Sequence, residues 1–280
     1  MKISLIGTGL IGKPLANRLF ECGYNVCVYN RTKEKTLELE QVGIKVSNSL
    51  EELFDFSDII LLTLTDYNSI KDVFSNYSFS TKKDVIQMGT ISTQQNIELE
   101  KYFNAINCNY MEAPILGSKN ESRTGTLLIF FGGSTNNFLK HEKLLKDMAK
   151  KVYYIGEVGS ASTIKLALNN MIAGMFSTFS TSLKMVKNSN LNTDIFMEIL
   201  RESSLYAPTF DKKIKNILTK DYSNPNFPLK HLLKDVELIK ETSNNLSINT
   251  GIINSIIGLI LTGLENGYAE EDYSSLYESI

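Results

Sequence analysis

The chain is poor in cysteine, in histidine and in long apolar runs, and each shortage removes a class of function. Its three cysteines, Cys22, Cys27 and Cys108, form neither a C-x-x-C pair nor an even framework. They read as small buried hydrophobes in a reducing compartment. The two histidines, His141 and His231, have no paired ligands nearby, so no metal site is expected, and no Ser–His–Asp arrangement can be argued. The most apolar stretches are 164–176, interrupted by Lys165, Asn169 and Asn170, and 251–264, which contains Asn254 and Ser255. Both fall short of the roughly 18 to 20 apolar residues of a membrane span, so buried helices and no membrane contact are expected. A formal net charge of −2 leaves no basic surplus, and no nucleic-acid partner is expected. The opening Met1-Lys2-Ile3-Ser4-Leu5 has no long apolar region before a cleavage site. It reads as a first strand and not as a signal peptide, and a cytoplasmic setting is expected.

What is present is an ordinary globular composition, 42% hydrophobic and 21% charged over 280 residues, enough for one large domain or two ordinary ones. The first half alternates. Short apolar strands are expected at 2–7, 25–29, 58–64, 84–88, 109–116, 126–131 and 151–155. A helix is expected over 10–22, where Ile11, Leu15 and Leu19 share one face, and helical text resumes at Lys33. Such β-α-β alternation predicts a doubly wound parallel sheet. After Gly159 no convincing strand follows. One long helix is expected over 160–187, apolar around most of its circumference and so suited to the middle of a bundle. Further helices are expected near 193–201, 210–218, 229–244 and 250–265. There is no internal repeat and no low-complexity linker. The expected division is 1–159, the doubly wound part, and 160–280, all-helical, joined by the long helix.

Gly7-Thr8-Gly9-Leu10-Ile11-Gly12 fits G-x-G-x-x-G, directly after a strand and opening a helix, which is the context the dinucleotide fingerprint requires. Gly7 makes the tight turn, Gly9 lets backbone approach the pyrophosphate, and Gly12 lets the helix pack on the strand. The helix start then faces the phosphates with free N–H groups. The alternative is an ordinary strand–helix turn. At the end of the second strand, where an NAD site usually carries Asp or Glu, stand Asn30, Arg31 and Thr32. Arg31 offers a permanently charged planar fork suited to a 2′-phosphate, with Asn30 and Thr32 as neutral hydrogen-bonding groups. NADP(H) is therefore the expected cofactor. Taken by itself, Arg31 also reads as a solvated surface arginine.

Lys165 and Asn169 lie four apart on the long helix and share a face that is otherwise apolar. Desolvation there would favour the neutral amine and bring it towards a useful range. A lysine beside a carbonyl that receives hydride can protonate the resulting alkoxide, and Asn169 can orient lysine or substrate. From composition alone, a Lys165 that snorkels out from a helix edge is an equal reading.

Three further segments are Glu112-Ala113-Pro114-Ile115-Leu116-Gly117-Ser118-Lys119, followed by Gly125-Thr126-Leu127; Gly159-Ser160-Ala161-Ser162-Thr163-Ile164-Lys165-Leu166-Ala167-Leu168-Asn169-Asn170; and Phe227-Pro228-Leu229-Lys230-His231-Leu232-Leu233-Lys234-Asp235. With the fingerprint, and in the same order and spacing, they make the chain resemble the β-hydroxyacid dehydrogenases, 3-hydroxyisobutyrate dehydrogenase-like, over essentially its whole length. The branch it resembles most is that of the glyoxylate and succinic semialdehyde reductases. The resemblance implies a Rossmann-type domain followed by an all-α domain, a small-molecule carbonyl substrate, and a homodimer or homotetramer. It implies Lys165 and Asn169 as catalytic residues. Thr65, Thr90 and Lys234 join the cofactor contacts, and Thr90, Leu116, Gly117, Ser118, Phe227 and Asp235 the substrate contacts. Without it, Thr90 reads as a helix cap, Phe227 as core, and Lys234-Asp235 as part of a solvated helix face.

The chain departs from that pattern in two places. The family usually has a serine where Leu116 stands, and that serine helps to hold a substrate carboxylate; backbone N–H groups of Gly117 and Ser118 are the expected substitutes. The second glycine of its G-x-G-x-x-x-K is Ala161. The expected activity is NADPH-dependent reduction of a small aldehyde or keto acid. Reduction of an imine or a less polar carbonyl, and a catalytically weak dehydrogenase-like binding protein, are the alternatives. Leu116 favours the imine alternative and Lys165 opposes it, while Lys165, Asn169 and Asp235 oppose the weak one.

Overall fold

A computed structural model describes every residue except Asn76, Ser78 and Ser80. The chain divides into two compact units, Met1–Leu166 and Ala167–Ile280.

The first unit runs β1 (Lys2–Ile6), α1 (Gly12–Glu21), β2 (Asn25–Tyr29), a 3-10 turn (Lys33–Thr36), α2 (Leu37–Gln41), β3 (Lys45–Val46), α3 (Leu50–Phe56), β4 (Ile59–Leu62), α4 (Tyr67–Phe74), β5 (Lys83–Gln87), α5 (Thr93–Ala105), β6 (Cys108–Glu112), β7 (Ile115–Leu116), α6 (Lys119–Thr124), β8 (Leu127–Gly132), α7 (Thr135–Met148) and β9 (Ala149–Gly156). The strands order as β3-β2-β1-β4-β5-β6-β8-β7, with β9 on β8. Those from β3 to β6 pair in parallel.

The continuous apolar strands follow from burial on both faces. Ile3, Leu5, Ile59 and Leu61 pack with α1, α2 and α7 residues such as Leu15, Leu39 and Leu145. Their neighbours Ile6, Ile60 and Leu62 point to the other face and meet Leu53, Phe74 and Phe103 of α3, α4 and α5. This is a Rossmann-like doubly wound sheet. Its order reverses between β1 and β4, and in such sheets ligands bind outside the carboxyl ends at that point.

Two differences from the expected elements bear on the site. The helix expected from Leu10 starts at Gly12, because residues 9–11 complete the turn out of β1. The single strand expected over 109–116 divides into β6 and β7 at Ala113-Pro114. Its first part pairs in parallel with β5 and its second antiparallel with β8, and Pro114 has no N–H to continue a ladder. The register against β8 nevertheless runs on unbroken, from Glu112 opposite Gly132 to Leu116 opposite Leu128.

α8 (Ser160–Asn188) begins in the first unit and continues into the second. The second unit adds α9 (Thr193–Glu202), α10 (Pro208–Thr219), α11 (Leu229–Asn245), α12 (Gly251–Glu265) and a final 3-10 segment (Tyr273–Ser279). Phe176 and Phe179 of α8 pack on Tyr273 and Phe210. A buried ion pair, Lys213 to Asp272, ties α10 to the final segment, with 2.8 Å to each carboxylate oxygen. Among the described residues no helix is long and apolar enough to cross a membrane.

Candidate active site

At the end of β1, Gly7 has φ +99° and donates its N–H to the Tyr29 carbonyl at 3.0 Å. A side chain at Gly12 would stand 1.9 Å from the Gly7 carbonyl oxygen, so only glycine allows this helix to meet this strand. Gly9 has nothing within 4 Å of where a Cβ would be, and no side chain caps the start of α1. An open glycine beside uncapped N–H groups is the surface a pyrophosphate needs. Buried Thr8 donates its N–H to the Asn30 side-chain oxygen at 3.0 Å, and the Asn30 amide donates to the Thr32 carbonyl at 2.9 Å. Asn30 therefore braces the glycine loop. Leu10 is exposed and Ile11 half-buried.

Arg31 and Thr32 are exposed just past β2, and among the described residues Arg31 has no hydrogen bond or ion pair. Thr65 is exposed after β4. Thr90 is half-buried between β5 and α5. It is not the helix cap, because Ser92 caps α5 in a reciprocal box with Gln95. Thr63 escaped sequence reading: its hydroxyl donates to the Gly7 carbonyl at 2.6 Å and so fixes the glycine loop to β4. A threonine at the end of a buried strand carries no signal of such a distant partner.

Lys165 is 8% exposed and Asn169, one turn on along α8, 2%. Neither snorkels. In the second unit the Asn169 amide donates to the Asp235 carboxylate at 2.6 Å, which fixes which way the amide faces. Its carbonyl oxygen has no hydrogen-bond partner among the described residues. Asp235 is 3% exposed, so it does not lie on a solvated face; the half-buried Lys234 places its ammonium 2.7 Å from it. Phe227 is half-buried, its ring 6.0 Å from that of Tyr273.

The start of α8 is held from the sheet. The Glu112 carboxylate, fully buried at the end of β6, accepts N–H groups from Gly159 at 2.7 Å, Ala161 at 2.9 Å and Ser162 at 3.2 Å. Burial pushes this carboxyl above the ordinary range, and the N–H groups pull against that shift.

Beyond β6, Leu116 is half-buried and Gly117 exposed with φ +143°. A Cβ at Gly117 would lie 2.7 Å from Leu127. Of the two backbone donors expected here, that of Ser118 is already engaged: its N–H and hydroxyl both bond Glu121, at 2.8 and 2.7 Å. The sequence expectation is corrected to this extent, the physical reason being that Ser118 begins α6 and Glu121 satisfies that helix end. His141 is buried against Asp84 at 3.0 Å and His231 half-buried on α11.

Residues 2–156 match the family model described as the NAD binding domain of 6-phosphogluconate dehydrogenase. Residues 159–280 match that described as NAD-binding of NADP-dependent 3-hydroxyisobutyrate dehydrogenase. Glyoxylate/succinic semialdehyde reductase 2, chloroplastic, of Arabidopsis thaliana is 27% identical, over 100% of this chain and 79% of that protein. Cytokine-like nuclear factor N-PAC of Drosophila melanogaster is 25% identical over 97% of this chain, which spans under half, 46%, of that longer protein. The crystal structure of 3-hydroxyisobutyrate dehydrogenase from Salmonella typhimurium has a TM-score of 0.88, with 18% identity and 100% of both chains covered, a likeness of fold. Two family models in succession account for nearly every residue, and the chain belongs to the β-hydroxyacid dehydrogenase family of NAD(P)-dependent oxidoreductases.

Proposed function

We propose that the protein is an NADPH-dependent reductase of a small aldehyde or keto acid, with Lys165 as the proton donor. The observation that carries the proposal is the buried Lys165 one helical turn from an Asn169 whose amide is oriented by Asp235. The open Gly9, the uncapped start of α1 and the unpaired Arg31 fit a dinucleotide with a 2′-phosphate. Gly7 to Gly12, Thr65 and Thr90 would hold it, Asn30, Arg31 and Thr32 would face its phosphorylated ribose, and Lys234 would add a charge. The bound nicotinamide supplies hydride. Lys165 gives its proton to the oxygen that becomes negative, Asn169 holds the lysine or the substrate in line, and Thr90, Gly117, Phe227 and Asp235 orient the substrate.

The functional division proposed is 1–159 for the cofactor and 160–280 for substrate and self-association. The exposed apolar side chains of the helical unit, among them Met185, Ile195, Ile199 and Ile252, support a homodimer or homotetramer, and three free cysteines suit a cytoplasmic setting. A second reading, reduction of an imine or less polar carbonyl, is favoured by Leu116 and by the engaged Ser118 N–H. NADPH oxidation against a panel of small aldehydes, keto acids and imines decides between them. Turnover of the aldehydes or keto acids is expected. Turnover of imines alone would select the second reading, and no turnover of any would leave a binding protein.

A further inference from the structure

The first turn of a helix leaves N–H groups without intrahelical partners, and those of α8 can all be traced. Ser160 donates to the Glu157 carbonyl at 3.1 Å and Thr163 to the Gly159 carbonyl at 3.3 Å. The N–H groups of Gly159, Ala161 and Ser162 all go to Glu112, between 47 and 50 residues away in sequence. Most helix starts are capped by the residue beside them; this one is capped by the end of a central strand. Room for the carboxylate exists because the residue facing Glu112 across the ladder is Gly132, where a Cβ would stand 2.4 Å from Oε1. A second tie runs sideways. The Thr163 hydroxyl donates to the Gly159 carbonyl at 2.9 Å and lies 2.8 Å from the Thr93 hydroxyl, at the start of α5 and three residues past Thr90.

We infer that Glu112, assisted by the Thr93–Thr163 pair, is a positioning residue that sets where Lys165 stands relative to the carboxyl ends of the sheet. Ala161 and Lys165 are four apart and share a helix face, so a carboxylate fixed to the Ala161 N–H fixes the turn from which Lys165 projects. The same charge offsets the positive end of the helix dipole, which would otherwise repel an ammonium one turn along. A merely structural cap would be met by a local serine or aspartate; a carboxylate from the sheet also fixes the rotation and height of the helix.

The inference rests on Lys165 being the acid, and the test separates the two. Glu112→Gln, Lys165→Ala and the double variant are compared for kcat, NADPH Kd and the isotope effect with NADPH deuterated at the transferred position. Glu112→Gln is expected to lower kcat about 10- to 100-fold, the size of a misplacement near 1 Å, with an unchanged Kd and a larger isotope effect. In the Lys165→Ala background it should change kcat less than about twofold, because residues acting through one another are not additive. A smaller population of folded enzyme would instead lower kcat with the isotope effect unmoved. That result, or a full additional loss in the double variant, overturns the inference while leaving Lys165 as the acid. Near-normal turnover by Lys165→Ala overturns the reading beneath it, and the inference with it. Thr163→Val, which removes the tie to Thr93 and the hydroxyl's bond to the Gly159 carbonyl while leaving the Glu112 cap in place, serves if Glu112→Gln does not fold. It should lower kcat several-fold with the same rise in isotope effect, and an unaltered isotope effect would overturn the inference by this route.

Discussion

Two buried carboxylates stand at opposite ends of neighbouring strands, Asp84 where β5 begins and Glu112 where β6 finishes, and their surroundings meet the charge differently. Asp84 is surrounded by side chains: Lys140, His141 at 3.0 Å and Asn109 at 2.7 Å. These hold its carboxyl well below the ordinary range despite its burial. Among the described residues Glu112 meets backbone N–H groups and the Ser162 hydroxyl, and burial prevails, raising its carboxyl. The difference tracks the ends of the sheet. At the amino end Lys140, His141 and Asn109 close the charge off, and the first two lock α7 to the core. At the carboxyl end, where ligands bind in this architecture, the negative charge faces a helix that carries a lysine. One end is closed off by side chains; the other, on the function proposed above, would hold reactive groups in place.

The sharpest way to break this comparison is to alter one residue at each end. Lys165→Ala should lower kcat by about 10²- to 10⁴-fold, the usual contribution of a general acid, with NADPH binding by fluorescence titration and Tm both near wild type. Near-normal turnover would make Lys165 structural and erase the contrast.

Asp84→Asn should do the reverse: kcat within about twofold and a stability loss of about 2 to 3 kcal/mol in urea, the scale of a lost charged hydrogen bond in a buried site. The sign with pH follows from the directions of the shifts. Asp84 is depressed in the folded state, so its contribution is present above the ordinary aspartate value of about 3.9 and is lost as pH falls towards the folded value. Wild type should lose stability through that acid window, and Asp84→Asn should lose less. Glu112 is raised, so its effect has the opposite slope. Folding is favoured below the ordinary glutamate value of about 4.3, and that gain fades as pH rises through the folded value. Denaturant melts of Asp84→Asn and Glu112→Gln between about pH 3 and 7 should diverge from wild type with opposite slopes; parallel curves would contradict the assignment of the two environments.

The carboxyl end also contains the cofactor contrast, expected to be smaller. If the unpaired Arg31 meets a 2′-phosphate, Arg31→Ala should reduce the NADPH-over-NADH preference by about 10- to 150-fold in kcat/KM, equivalent to roughly 1.5 to 3 kcal/mol. Equal use of both cofactors by wild type would remove the basis for that assignment.

How much of this was readable beforehand depends on how far apart the interacting groups lie. The glycine fingerprint, the buried parallel strands and the long α8 are local patterns, set by turn chemistry, apolar runs and helical spacing, and they were legible as such. The roles of Thr63, Asp84 and Glu112 were not. Each depends on a partner brought alongside by the sheet: Thr63 on Gly7, Asp84 on His141, Glu112 on Gly159. Glu112 was visible as the first residue of a motif, but a carboxylate that caps a helix of a different segment leaves no periodicity to detect. β3 is two residues long, too short for any alternation. At Ser118 the sequence pointed to a free N–H that the structure shows bonded, because the competing partner, Glu121, belongs to a short helix that composition did not announce.

The smallest expected effect lies at Leu116, where the chain departs from its family at the carboxyl end itself. Leu116 of β7 sits opposite Leu128 of β8, half-buried; on the function proposed above it would present an apolar wall where a substrate carboxylate needs donors. With the Ser118 N–H bonded to Glu121, fewer backbone donors stand ready than the motif suggests. A serine at 116 would restore a hydroxyl and remove branched bulk. The gain from one hydrogen bond to a charged group is roughly 1.5 to 3 kcal/mol, reduced by whatever rearrangement the smaller side chain permits. Leu116→Ser should therefore raise kcat/KM for glyoxylate or succinic semialdehyde about tenfold, with little change for an uncharged aldehyde of similar length or in NADPH affinity. Wild type should correspondingly favour longer or less polar carbonyls over glyoxylate-sized acids. The comparison needs both substrates in both proteins, because a gain shared by acid and uncharged aldehyde would reflect only the added space. If wild type already turns over the small acids efficiently and the serine variant gains nothing, the apolar wall does not select substrate, and the carboxylate must be held elsewhere in the chain.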